Sequence, residues 1–116
     1  MEKDPLERLR AICLALPEAT EGAGVGTPSF RVRDKIFAMQ HPVEGRRSLW
    51  CKAAPELQAA LVRSHPDRFF VPPYVGQHGW IGAWFDADLD WDEVADLVED
   101  SYRRSAPKRL LARISR

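Results

Sequence analysis

Ser29-Phe30-Arg31-Val32-Arg33-Asp34-Lys35-Ile36-Phe37-Ala38-Met39-Gln40 is the stretch on which the fold turns. From Ser29 to Arg33, Phe30 and Val32 fall on one side and Arg31 and Arg33 on the other, the period of a strand with one buried face. Asp34 suits a tight turn, and Lys35 to Gln40 reads as the return strand. The segment His41 to Arg46 holds Pro42 and Gly45 and reads as a turn. Ser48 to Lys52 follows as a third strand, with Leu49 and Cys51 facing one way and Trp50 and Lys52 the other. Three short strands in meander order make an antiparallel sheet.

Helical signals flank this sheet. Upstream, Asp4 is placed as an N-cap, Pro5 as the first helical residue and Glu7 as the capping-box partner. Leu6, Leu9, Cys13 and Leu16 recur at helical spacing, and Pro17 stops the run. Residues 18–28 read as a loop with a short extended stretch near Thr20. Gly22, Gly24 and Gly26 lie there without the following Lys-Ser/Thr of a phosphate loop. Downstream, Pro55 opens a second helix with Leu57, Ala60, Leu61 and Val62 inward. Arg68 to Val71 reads as a short strand ended by Pro72-Pro73, and Gly76 to Gly79 as a turn. Trp80 to Phe85 alternates again, with Ile81, Ala83 and Phe85 on one face and Trp80, Gly82 and Trp84 on the other. Asp90 caps the best-marked helix, whose inner stripe is Val94, Leu97, Val98, Ser101 and Tyr102. Ser105 is expected to cap a last helix opened by Pro107, with Leu110, Leu111 and Ile114 apolar. The order predicts an α+β fold: a mainly antiparallel sheet with helices packed on one face.

One domain accounts for the 116 residues, of which 45% are hydrophobic. No apolar run reaches the roughly 20 residues of a membrane span. The charged start, without a secretory leader, and two cysteines point to reduced thiols and a cytoplasmic location. Seventeen bases balance 17 acids, which excludes gripping nucleic acid by bulk charge alone. The balance conceals segregation. Residues 27–52 carry +4, residues 86–100 carry −8 and residues 101–116 carry +6. Such blocks either cancel in space or create a basic and an acidic face.

Catalytic and metal chemistry find little footing. His41, His65, His78, Cys13 and Cys51 lack paired ligand spacing, and Asp86-x-Asp88-x-Asp90 lacks the glycine and late Glu of a calcium loop. Cys51 alternates in phase with Leu49 and reads as a buried strand cysteine. No catalytic constellation, metal or cofactor is expected. A more coherent pattern is basic residues interleaved with flat aromatics on the strands, which suits nucleic acid: cations neutralise phosphates and rings stack on bases. The competing interpretation has the tryptophans covered by the 69–79 loop and the arginines as ordinary edge charges.

Several motifs in fixed order add a resemblance. They are Leu16-Pro17-Glu18-Ala19, Gly26-Thr27-Pro28-Ser29-Phe30, Lys35-Ile36-Phe37-Ala38, Arg68-Phe69-Phe70-Val71-Pro72-Pro73-Tyr74-Val75-Gly76, Gly79-Trp80-Ile81-Gly82, Asp90-Trp91-Asp92-Glu93-Val94, Asp100-Ser101-Tyr102-Arg103 and Ala106-Pro107-Lys108-Arg109-Leu110. From Leu16 to Leu110 the chain resembles the MmcQ/YjbR family. The resemblance implies a single CyaY-like, YjbR-like domain over residues 1–116 and a DNA-binding role through a double-wing arrangement of strands. It implies no catalytic residues. Asp34 departs from the pattern, standing where the family's hairpin turn has glycine, and its charge repels phosphate locally.

The expected function is therefore weak, salt-dependent DNA binding through a basic sheet face. Arg31, Arg33, Lys35, Arg47, Lys52, Lys108 and Arg109 would contact phosphates, with Trp80 as a stacking surface. The alternative is a small-ligand or protein-interaction module, in which Pro72, Pro73, Tyr74, His78, Trp80 and Trp84 line an apolar cleft.

Overall fold

The computed structural model describes residues 4–23 and 27–114. Gly24, Gly26 and Arg116 lie outside them. The chain begins with α1 (Pro5–Leu14) and an edge strand, β1 (Thr20–Ala23). Three strands follow, β2 (Pro28–Val32), β3 (Lys35–Val43) and β4 (Arg46–Cys51). Then come α2 (Pro55–Ser64), β5 (Phe69–Phe70), a short 3-10 turn (Gly76–His78) and β6 (Ile81–Trp84). The chain closes with α3 (Trp91–Ser105) and the single-turn α4 (Lys108–Leu111). All six strands join one antiparallel sheet in the order β1-β2-β3-β4-β6-β5.

The predicted strand faces hold. Phe30, Val32, Leu49, Cys51, Ile81, Ala83 and Phe85 enter one core with Leu9 and Cys13 of α1 and with Val94, Leu97, Val98 and Tyr102 of α3. Two apolar faces removed from water against each other are the main favourable term of such a layer pair. The edge of the Tyr102 ring meets Phe37 at 5.4 Å, and its hydroxyl donates to the Pro17 carbonyl. The opposite sheet face carries two aromatic stacks, His41 on Trp50 and Phe70 on Trp84. Gly82 is required beneath the second stack, because a Cβ there would lie 2.2 Å from the Phe70 ring.

Several expectations are corrected. The short extended stretch expected near Thr20 is a full strand, β1, paired along the free edge of β2 and tied to α1 by the bidentate Arg10–Glu21 pair. His41 to Val43 continue β3 instead of turning, and the turn is Glu44-Gly45, both with positive φ. Pro42 is tolerated because β2 ends opposite Met39, leaving β3 a neighbour on one side only. Arg33 sits in the β2–β3 turn with φ 56°, past the end of the strand. The Asp4 carboxylate does not cap α1; it holds Arg47 through two hydrogen bonds of 2.9 and 3.0 Å. Asp90 does cap, accepting from the amides of Asp92 and Glu93. In α2, Leu57 and Ala60 face solvent, and Leu61 and Val62 alone of the four pack toward the core. Ser105 is the last residue of α3 and Pro107 the cap residue of α4.

Candidate nucleic-acid interface

Strand direction sorts the charged residues. β3 begins and β4 ends at one end of the sheet, which also holds the β2–β3 turn and the start of β6. α3 delivers its C-terminus to that same end. The Ser101 hydroxyl donates to the Phe37 carbonyl and accepts from the Lys52 amide, taking the place of a ladder bond where β3 and β4 part. The Lys52 ammonium then donates to Ser105 Oγ at 2.8 Å. Burial lowers the Lys52 pKa, and the neighbouring charge of Lys35 lowers it further.

Arg33, Lys35, Lys52, Lys108 and Arg109 therefore gather at one end, and Arg31 lies one step inside it, opposite Ile36. Arg33, Arg109 and Arg113 share a single carboxylate, Glu18, at 3.3, 3.6 and 3.3 Å. One acid among three guanidiniums leaves that cluster with surplus positive charge. These pairs are largely exposed, so each contributes little and can yield to another anion. Arg103 and Arg104 reach back one turn to Glu99 and Asp100.

The opposite end is acidic. It holds the N-termini of α1 and α3, with Asp4, Glu7, Asp90, Asp92 and Glu93, and the residues that follow β6, Asp86 and Asp88. Arg47 is placed here, near the start of β4 and five residues before Lys52, committed to Asp4 and Gln40. The structure thus separates Arg47 from the other predicted phosphate contacts. Arg46 forks onto Asp86 and lies 3.9 Å over the Trp84 ring. Hydrogen bonds from Arg47, Arg46 and Arg10 hold the Asp4, Asp86 and Glu21 carboxyls below their ordinary values.

Trp80 belongs to the basic end but is only 9% exposed, with the Lys52 ammonium 5.9 Å from its ring centre. It is a floor beneath Lys52, which corrects its expected use as a stacking surface. The aromatic cleft is not assembled either. Tyr74 is 89% exposed on the loop between β5 and β6, His78 is exposed beyond it, and Trp84 is taken up by Phe70 and Arg46. Two concavities of about 270 and 360 Å³ at the acidic end share Pro5 and Phe85, and one of about 370 Å³ lies along α1 at Glu7, Arg10, Ala11 and Leu14. Both thiols are buried, and burial pushes Cys51 up to about 12, so neither presents a thiolate to solvent. Among the described residues no three His, Cys, Asp or Glu side chains gather as metal ligands would. Among the described residues no helix is long and apolar enough to cross a membrane.

The family model YjbR matches residues 14–104, from the end of α1 to the last turn of α3. The chain belongs to the YjbR family. The uncharacterized protein YjbR of Escherichia coli K12 is 28% identical over 104 residues, 86% of each chain. The corresponding protein of E. coli O157:H7 matches equally. Two solved structures share the fold. A Deinococcus radiodurans protein with a DUF419 domain superposes with a TM-score of 0.73 at 21% identity, over 84% of this chain and 75% of that one. A Pseudomonas syringae protein gives 0.65 at 19% identity, over 84% and 97%. At these identities the likeness concerns the fold, and the YjbR family name carries no activity with it.

Proposed function

We propose that this YjbR-family protein binds nucleic acid at the basic end of its sheet, through Arg31, Arg33, Lys35, Lys52, Lys108 and Arg109. The observation that carries the proposal is the convergence of these six bases from separate stretches of sequence, while the acids at the starts of α1 and α3 and after β6 lie at the far end. A neutral molecule so polarised has a field that turns its basic end toward a polyanion. Phosphate contacts release condensed counterions, so affinity falls as salt rises; about four to six contacts on a single strand give a log–log slope of about −3 to −4. Arg47 takes no part, because its guanidinium is matched by Asp4. The Asp34 carboxylate flanks the site and keeps binding weak.

Fluorescence anisotropy with labelled oligonucleotides across a salt series tests this. Binding at low salt with the stated slope is expected, weakened severalfold in the double variant Lys35→Glu/Lys108→Glu and unchanged in Arg47→Gln. Both variants alter exposed side chains, so circular dichroism should find them folded. Equal affinity of the folded double variant and the parent protein would remove these residues from the interface.

A further inference from the structure

The loop between β5 and β6 lies at the basic end, because the Ala53 amide beside Lys52 donates to the Gly79 carbonyl. The loop is braced. The Val75 and Gly76 amides donate to the Pro73 and Pro72 carbonyls at 2.7 and 3.0 Å. The Gln58 amide nitrogen, reaching from α2, donates to the carbonyls of Gly76 and Trp80 at 2.9 and 2.6 Å. Two prolines stiffen it further. At its tip Tyr74 has φ 68° and is 89% exposed, beside the half-exposed Val71. A left-handed backbone is unfavourable for any residue with a side chain and persists only where the surroundings impose it. Here a rigid loop imposes it and holds an aromatic ring in water, where the ring adds nothing to the core.

We propose that Tyr74 is a base-stacking anchor, and that the ligand of the basic end is single-stranded nucleic acid. The inference rests on the phosphate-binding function proposed above and adds to it the class of strand. Charge complementarity at this end selects a polyanion. A flat, amphipathic ring presented at the same end of the sheet, on the β6–β5 side of Lys52, selects a polyanion with exposed ring faces, and a duplex keeps its base faces inside the stack. Tyr74 thereby takes the role the sequence assigned to Trp80, whose ring is covered.

Anisotropy with a labelled 12-mer single strand, the same strand with abasic sites, and the matching duplex tests the proposal. At low salt the parent protein should favour the base-bearing strand over the abasic one by about 5- to 150-fold, the range expected for one stacked base. Tyr74→Ala should lose that factor on the base-bearing strand alone, and Tyr74→Phe should keep it. Equal affinity of the parent protein for base-bearing and abasic strands overturns stacking yet leaves phosphate binding standing, since both strands carry the same charge. That comparison needs no variant and holds whether or not Tyr74→Ala folds. Preference for the duplex overturns the assignment of a single strand. Absence of binding to every probe overturns this proposal together with the function it rests on.

Discussion

Ser101→Ala removes one oxygen from the interior and should cost more than any other change of its size in this protein. The hydroxyl is fully buried, donates to the Phe37 carbonyl and accepts from the Lys52 amide. Alanine fits the site without strain, so packing changes little. The loss falls on two backbone groups left without partners at a place water does not reach. Each such group costs about 1–3 kcal/mol, so the pair should cost about 2–6 kcal/mol. At about 3–5 °C per kcal/mol for a domain of this length, Tm should fall by about 6–30 °C. Urea denaturation followed by tryptophan fluorescence supplies the measurement, with an unchanged m-value showing that the unfolded state is unaffected. Ser105→Ala is the control. Its hydroxyl meets the partly exposed Lys52 ammonium, which water can serve instead, and it should cost under about 1 kcal/mol. A loss below about 0.5 kcal/mol for Ser101→Ala would refute the idea that this hydroxyl joins α3 to the sheet and fixes the basic end.

Three further outcomes follow from the geometry. Gly82→Ala should destabilise by about 1–3 kcal/mol, because its Cβ would enter the Phe70 ring and break the stack on Trp84; an unchanged urea midpoint would contradict that packing. The arginine-bonded carboxyls of Asp4, Glu21 and Asp86 favour their charged forms in the fold, so the stability they add is complete above about pH 4 and declines as the pH falls through and below that value. Glu21→Gln should flatten that acid limb in urea melts taken from pH 6 to pH 2.5, and an unaltered limb would show that the pair contributes nothing. Native protein should react with a thiol reagent only as fast as it opens, since both cysteines are buried and Cys51 is pushed up to about 12; rapid labelling of either at pH 8 would place it at the surface.

Much of the fold is legible in local sequence because its elements carry redundant signals. The α3 stripe from Val94 to Tyr102 has a cap, a period and a buried face that agree, and every residue of it is buried as expected. The strand faces around Leu49, Cys51, Ile81 and Ala83 are equally plain. What the sequence misplaces depends on neighbours distant along the chain. Pro42 argues against a strand until β2 is known to stop short of it. Asp4 has the right residue type to cap α1, but Arg47, 43 residues away, outcompetes the helix amides for its carboxylate. The extended stretch near Thr20 gives no sign of its partner, and Thr20 to Ala23 pair because β2 offers an open edge.

The candidate site divides the same way. Residue type alone marks Arg31, Arg33, Lys35, Lys52, Lys108 and Arg109 as candidates for phosphate contact, yet only topology reveals that they share an end and that Arg47 does not. The contrast between the covered Trp80 and the exposed Tyr74 has a similar reason. Burial of Trp80 depends on Lys52 and on the loop carrying Gly79, and the exposure of Tyr74 depends on a backbone turn that no hydrophobic period announces.

Amide chemical-shift mapping on the labelled protein tests the polarised molecule most directly. During titration with a short single strand at low salt, the account predicts shifts at Arg31 to Lys35, Lys52, Tyr74 to Gly76 and Lys108 to Arg109, with Asp4, Arg47 and Asp86 to Glu93 unmoved. Shifts centred on Arg47, Asp86 and Trp91 would place the ligand at the acidic end and contradict it.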